Sequence, residues 1–199
     1  MKNLSHKILL ILLIFCNIGT DMHAQKIRDL ANMTIDETIS VWAGEWRYEN
    51  DTTREIFIIN LKCTEAIINN SPGIKHSFTC VFKGSVYYSR NNTVVYDNRK
   101  IFDTLVFTGL LKEIDKFSRV PELYVYQGRT DRPLLCFYDL VHLRNGEGHP
   151  ILTVNEENKY RLYWHLSGQE GELSGKESEP IAPGFSIPTN VVLTKVQRE

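Results

Sequence analysis

From Trp46 onward, hydrophobic residues recur at every second position along this chain. Between Glu55 and Cys63, the residues Phe57, Ile59, Leu61 and Cys63 share one face, while Asn60 and Lys62 take the other. Between Phe78 and Tyr88, the residues Phe78, Cys80, Phe82, Val86 and Tyr88 oppose Thr79, Lys83 and Ser85 in the same way. A period of two belongs to strands with one face in a core and the other toward water. Similar runs are Thr93 to Asp97, Ile101 to Leu111, Pro121 to Gln127, Leu134 to Leu143, His149 to Asn155, Asn158 to Leu166 and Phe185 to Val196. Between them lie turn-forming clusters such as Asn69-Asn70-Ser71-Pro72-Gly73, Asn91-Asn92, Asp97-Asn98 and Asn145-Gly146, whose residues tolerate tight or left-handed backbone. About ten short strands are predicted on this pattern.

Upstream of Trp46 the period changes. Thr34 followed three residues later by Glu37 forms a capping box, in which the threonine oxygen takes an orphan N–H and the glutamate reaches back to the cap. Ile35, Ile39 and Trp42 then supply one apolar stripe before Gly44 ends the helix. A short helix followed by consecutive antiparallel strands predicts an all-β domain. The favoured form is an up-and-down barrel of about 8–10 strands with the helix plugging one end, because closure removes exposed sheet edges. A two-sheet β-sandwich is the alternative. Lys112 to Arg119 reads as a helical turn, and Ser167 to Gly184 as an unstructured loop or a lid.

The first residues carry a different signal. Lys2 and Lys7 lead into the apolar run Ile8 to Cys16, which closes on Met22-His23-Ala24 before Gln25. A positive start, an apolar stretch of about 7–15 residues and a small residue at the cut describe an export signal, not a membrane span of about 20 residues. Residues 1–24 are therefore expected to be removed, leaving one domain over 25–199 in the periplasm or outside the cell. Phe15 precedes Cys16, where lipoprotein signals have a small residue, so release without a lipid anchor is expected. Lys62, Lys83 and Arg161 fall on outward faces and interrupt the apolar band, about 25 Å tall, that an outer-membrane barrel requires.

Charge narrows the partners. The leader holds two of the 23 basic and one of the 24 acidic residues, so the mature domain carries a net charge near −2. With no Lys/Arg run, nothing steers it onto nucleic acid or an anionic membrane.

Gly44-Glu45-Trp46 after a short helix resembles the start of lipocalins and their calycin relatives. Those families stack a basic residue of the last strand on the tryptophan, a role open here to Lys195 or Arg198, and the resemblance implies a calycin-like barrel. A cation over an indole contributes about 0.5–2 kcal/mol. The wider chain, from the leader through Trp-Ala-Gly-Glu-Trp-Arg-Tyr to Phe-Ser-Ile-Pro-Thr-Asn-Val-Val-Leu-Thr-Lys, resembles an uncharacterised secreted family of flavobacterial type. That resemblance implies an exported domain and transfers no catalytic residues.

Candidate sites follow from residue types. Trp46, Phe57, Phe82, Tyr88, Phe107 and Trp164 either line a cavity for a small apolar ligand or fill it as core, since a barrel of about eight strands permits both. A hairpin centred between Ser71 and Pro72 sets Cys63 opposite Cys80, with Leu61 facing Phe82 and Phe57 facing Val86. Opposed strand residues lie about 4.5–5.5 Å apart, within disulfide reach, and the alternative is two buried thiols. A two-residue turn at Asn145-Gly146 would oppose His142 and His149, a pair able to hold zinc or copper given further ligands. Asp139 and His142, three apart on a strand, are expected on opposite faces. No Gly-x-Ser-x-Gly, His-Glu-x-x-His, Cys-x-x-Cys or phosphate loop occurs, so no catalytic residue and no cofactor is assigned. The expected protein is non-enzymatic. It either binds a small hydrophobic ligand or serves as a structural or protein-interaction module of the cell envelope with a filled core, its protein partner unspecified.

Overall fold

The computed structural model describes residues 30–69, 77–108, 120–142, 144–157, 159–168 and 184–197. The leader read at 1–24, the turn read at 112–119 and most of the loop read at 167–184 lie outside the described residues. Helix α1 (Ile35–Trp42) opens with the capping box: Thr34 N donates to Glu37 Oε2 at 2.8 Å and Glu37 N to Thr34 Oγ1 at 3.3 Å. There follow β1 (Gly44–Asn50), β2 (Glu55–Asn69), β3 (Ser77–Arg90), β4 (Thr93–Asp97), α2 (Arg99–Thr108), β5 (Glu122–Tyr126), β6 (Leu134–Asp139), β7 (Arg144–Gly148), β8 (Ile151–Val154), β9 (Tyr160–His165), β10 (Ser167–Gly168) and β11 (Asn190–Lys195).

The strands form one strongly curled antiparallel sheet, a half-barrel, in the order β10-β7-β6-β5-β3-β2-β1-β11-β9-β8, with β4 beside β3. Only Leu166 separates β9 from β10, yet β9 pairs with β11 while β10 pairs with β7. The stretch 160–168 therefore touches both flanks of the sheet and draws its ends together. Close approach at this seam depends on glycine. A Cβ on Gly148 would lie 1.9 Å from the His165 carbonyl oxygen, and one on Gly146 would lie 2.8 Å from Leu166 Cδ1. The outer edge of β8 is met by the β5–β6 loop, where Leu152 N donates to Asp131 O at 2.8 Å.

Thr130 in that loop ties the helical end to the sheet. Its carbonyl accepts from Trp42 Nε1 at 2.8 Å, its hydroxyl accepts from Met33 N at 3.3 Å, and the same hydroxyl donates to Leu30 O. Trp46 Nε1 donates to Trp42 O at 3.0 Å, so both indoles bury their rings without stranding a donor.

Three sequence expectations change. The run Ile101 to Leu111 is not a strand: 99–108 is helical, and Ile101, Phe102, Leu105 and Val106 form a helical stripe that packs with Val120. Asn98 starts it, accepting from Val86 N at 2.6 Å through its side chain and from Phe102 N at 3.0 Å through its carbonyl. Asn145-Gly146 lies inside β7, paired with Tyr138 and Phe137, and the turn falls just before it. There Asp139 Oδ1 accepts from Val141 N at 2.9 Å and His142 N at 3.1 Å, an Asx-type turn that replaces the Asn-Gly one. The β2–β3 hairpin is displaced by two residues, with Phe57 opposite Tyr88, Leu61 opposite Gly84 and Cys63 opposite Phe82, then a bulge at Thr64. A slip of two keeps every side chain on its expected face.

Lys62 and Arg161 are exposed. Lys83 also points away from the interior but is buried, its Nζ 3.0 Å from Glu122 Oε1, with Tyr124 donating to Glu122 Oε2 at 2.7 Å. Among the described residues no helix is long and apolar enough to cross a membrane.

Candidate functional site

The inward faces of β1, β2, β3 and β9 bring five of the six expected aromatics together. Trp46, Phe57, Phe82, Tyr88 and Trp164 are all buried, and the Phe57 ring lies 5.6 Å from Trp164 and 6.2 Å from Tyr88, edge-on in both cases. At the helical end the Trp42 and Trp46 rings are 6.0 Å apart. These are the distances of aromatics packed on one another. Phe107 does not join them: it sits on α2 with 91% of its surface exposed, because the segment is a helix and its apolar stripe excludes that position. Tyr88 donates to Glu55 Oε1 at 2.9 Å, and burial, reinforced by that carboxylate, pushes its phenol up to about 12.

Lys195 stands opposite Trp46 in the β1–β11 register, its Nζ 5.8 Å from the ring centroid. The ammonium also donates to Val41 O at 2.6 Å and to Ser40 O, closing the end of α1 where the helix dipole favours a cation. Burial pulls its pKa down. Arg198 lies outside the described residues.

The cysteine pair is not opposed. Cys63 faces Phe82 and Cys80 faces Ala66, which leaves the two thiols diagonal on one face with no disulfide joining them. Diagonal neighbours stand about 7–8 Å apart, beyond ordinary disulfide geometry. Burial first, and Cys63 second, push the Cys80 thiol up to about 11. The histidine pair is likewise undone by the moved turn: His149 is exposed beyond β7, while His142 Nδ1 lies 3.1 Å from Gly184 O. Among the described residues no three His, Cys, Asp or Glu side chains are placed to hold a metal.

Sequence reasoning missed the polar clasp at the seam. Asp139 is fully buried, and its carboxylate accepts from Ser186 N at 2.6 Å and Ser186 Oγ at 2.8 Å besides the two turn amides. His142 Nδ1 approaches Asp139 Oδ2 to 3.9 Å. The two meet because 140–142 is a turn, where a continuous strand would have separated them. Arg144 donates to Gly184 O at 3.2 Å and stacks 4.8 Å from the Phe185 ring, which in turn lies 6.3 Å from Phe137. Although Ser186, His142 and Asp139 lie near one another, the Ser186 hydroxyl donates to the carboxylate, and His142 Nδ1 faces Gly184 O. The group is built as a fastening, unlike a nucleophile with its base. The signal was an Asp at the end of an apolar run, which periodicity alone does not weigh.

On the outer face, Ile151, Tyr163 and Val192 form one cross-strand row over β8, β9 and β11. A family model described as a family of unknown function, DUF6705, matches residues 1–196. The chain belongs to DUF6705. No curated protein and no solved structure matches it. The matched span covers the aromatic interior and the seam of this DUF6705 chain together with its first residues.

Proposed function

We propose that this DUF6705 protein is an exported, non-enzymatic module whose interior is core and whose outer surface engages another protein. The single observation behind this is the mutual packing of Phe57, Trp164 and Tyr88 with Phe82 and Trp46, each no more than 7% exposed. Large aromatics at ring-contact distance occupy the volume that a ligand would need. Export is supported by Lys2, Lys7 and the apolar run before Gln25, and N-terminal sequencing of the protein from its native host should begin at Gln25.

Thermal melts of the mature protein against fatty acids, sterols and aromatic hydrophobes test the interior. The reading expects no saturable rise in Tm and no quenching of tryptophan fluorescence. A saturable rise of several degrees with quenching would instead favour a small apolar ligand held among Trp46, Phe57, Phe82, Tyr88 and Trp164.

A further inference from the structure

The outside of the curled sheet is covered unevenly. Beside β3 and β5, the apolar stripe of α2 packs with Val120. Over β8, β9 and β11, Ile151 faces Tyr163 and Tyr163 faces Val192 in one register row, with 39%, 46% and 37% of their surfaces exposed. Single exposed hydrophobics are ordinary, but three in one row across three strands form a contiguous apolar strip. The flanking row is Thr153, Arg161 and Thr194 on one side, and His165 beside Asn190 on the other.

Within the three strands themselves the outward charge is positive. The outward positions of β8, β9 and β11 hold the Arg161 guanidinium and no carboxylate, on a chain whose formal net charge is −1. The nearby acids are engaged by other cations: Glu157 sits 2.8 Å from Lys159, and on neighbouring β1 both Glu45 and Glu49 stand against Arg47. Recognition here must use the face, because the edge of β8 is taken at Leu152 by Asp131. The apolar row is three strands wide, roughly 10 Å at about 4.8 Å per strand, and one residue deep, an area on the order of 100 Å². That is far short of the ~800 Å² per partner buried in a stable interface, which points to a short segment as the occupant in place of a second folded copy.

We propose that the outer face of β8–β9–β11 docks an acidic segment of another protein, seating one apolar side chain on Tyr163 between Ile151 and Val192 with a neighbouring carboxylate on Arg161. This deepens the surface-recognition reading and rests on it. The apolar contact supplies affinity, and the charge pair fixes orientation and speeds encounter.

The test is selection of peptides from a random displayed library on the folded mature protein, followed by anisotropy titrations with a synthetic consensus peptide. The consensus should carry Asp or Glu within three residues of a large apolar residue. Tyr163→Ala, Ile151→Ser and Arg161→Glu should each weaken binding at least tenfold while leaving the melting curve unchanged. Lys62→Glu, on the outer face of β2, should alter binding less than twofold. Added salt should weaken the wild type more than Arg161→Glu.

A consensus without acids overturns the proposal, as does binding indifferent to Tyr163→Ala. Concentration-dependent dimers abolished by Tyr163→Ala would also overturn it and reassign the face to a second copy. Peptides that bind elsewhere on the surface would remove this face but leave surface recognition standing. No selected peptide, together with saturable uptake of dodecanoate into the interior, would remove both.

Discussion

Along β2 and β3 the sheet is held by strands of fifteen and fourteen residues whose inward faces carry Phe57, Ile59, Leu61, Phe82 and Val86. At the seam it is held by a two-residue strand, one glycine that admits the His165 backbone and one that admits the Leu166 and Phe185 side chains, and one buried carboxylate. The first region draws its stability from apolar area, which is additive and tolerant in detail. The second depends on a few specific contacts, each of which fails outright when its residue changes. Curling the sheet and fastening it are separate tasks, done by different chemistry.

The largest expected effect lies in the first region. Phe57→Ala removes a ring packed between Trp164 and Tyr88 and should cost about 4 kcal/mol in urea unfolding. Gly148→Ala forces a Cβ onto the His165 carbonyl and should cost about 3 kcal/mol. Its hydrogen-exchange signature should be confined to β6, β7, β9 and β10 while β2 and β3 keep their protection. Equal loss of protection in both regions would break the distinction drawn here. Asp139→Asn keeps the shape of the clasp but turns one acceptor into a donor facing Ser186, an expected cost of about 2 kcal/mol. Thr34→Ala removes the cap of α1 for about 1 kcal/mol and should leave seam exchange unaltered.

Alkali should probe the central interior. The folded Cys80 thiol holds its proton up to about 11 and the Tyr88 phenol up to about 12, against ordinary values of 9.0 and 10.0. Both groups bind protons more tightly in the folded chain than in the unfolded one, so stability falls as pH rises from about 9 to about 12. Cys80→Ala should lessen the lower part of that decline and Tyr88→Phe the upper part, to which the raised phenols of Tyr96 and Tyr124 also contribute, as read by chemical denaturation at fixed pH.

The faces of β2 and β3, the capping box at Thr34 and the place of Trp46 were legible because each rests on local spacing. The hairpin register was off by two residues, which changed the partners of Cys63 but not its face. The α2 stripe was read at the wrong period: Ile101, Leu105 and Phe107 alternate as well as they spiral, and what tips the balance is Asn98, buried against Val86. The turn before β7 was misplaced because Asn145-Gly146 is the stronger local signal, while Asp139 wins through Ser186, forty-seven positions away. Contacts of that span leave no periodic trace. For the same reason the interior aromatics were foreseen by type while the clasp at Asp139 was not.

The central claim is that the ring of Phe57, Phe82, Tyr88 and Trp164 is solid. Xenon occupies dry apolar cavities and shows directly where one exists. Crystals of the protein under xenon pressure should show no xenon among these four side chains. A xenon atom bound between Phe57 and Trp164 would contradict the account.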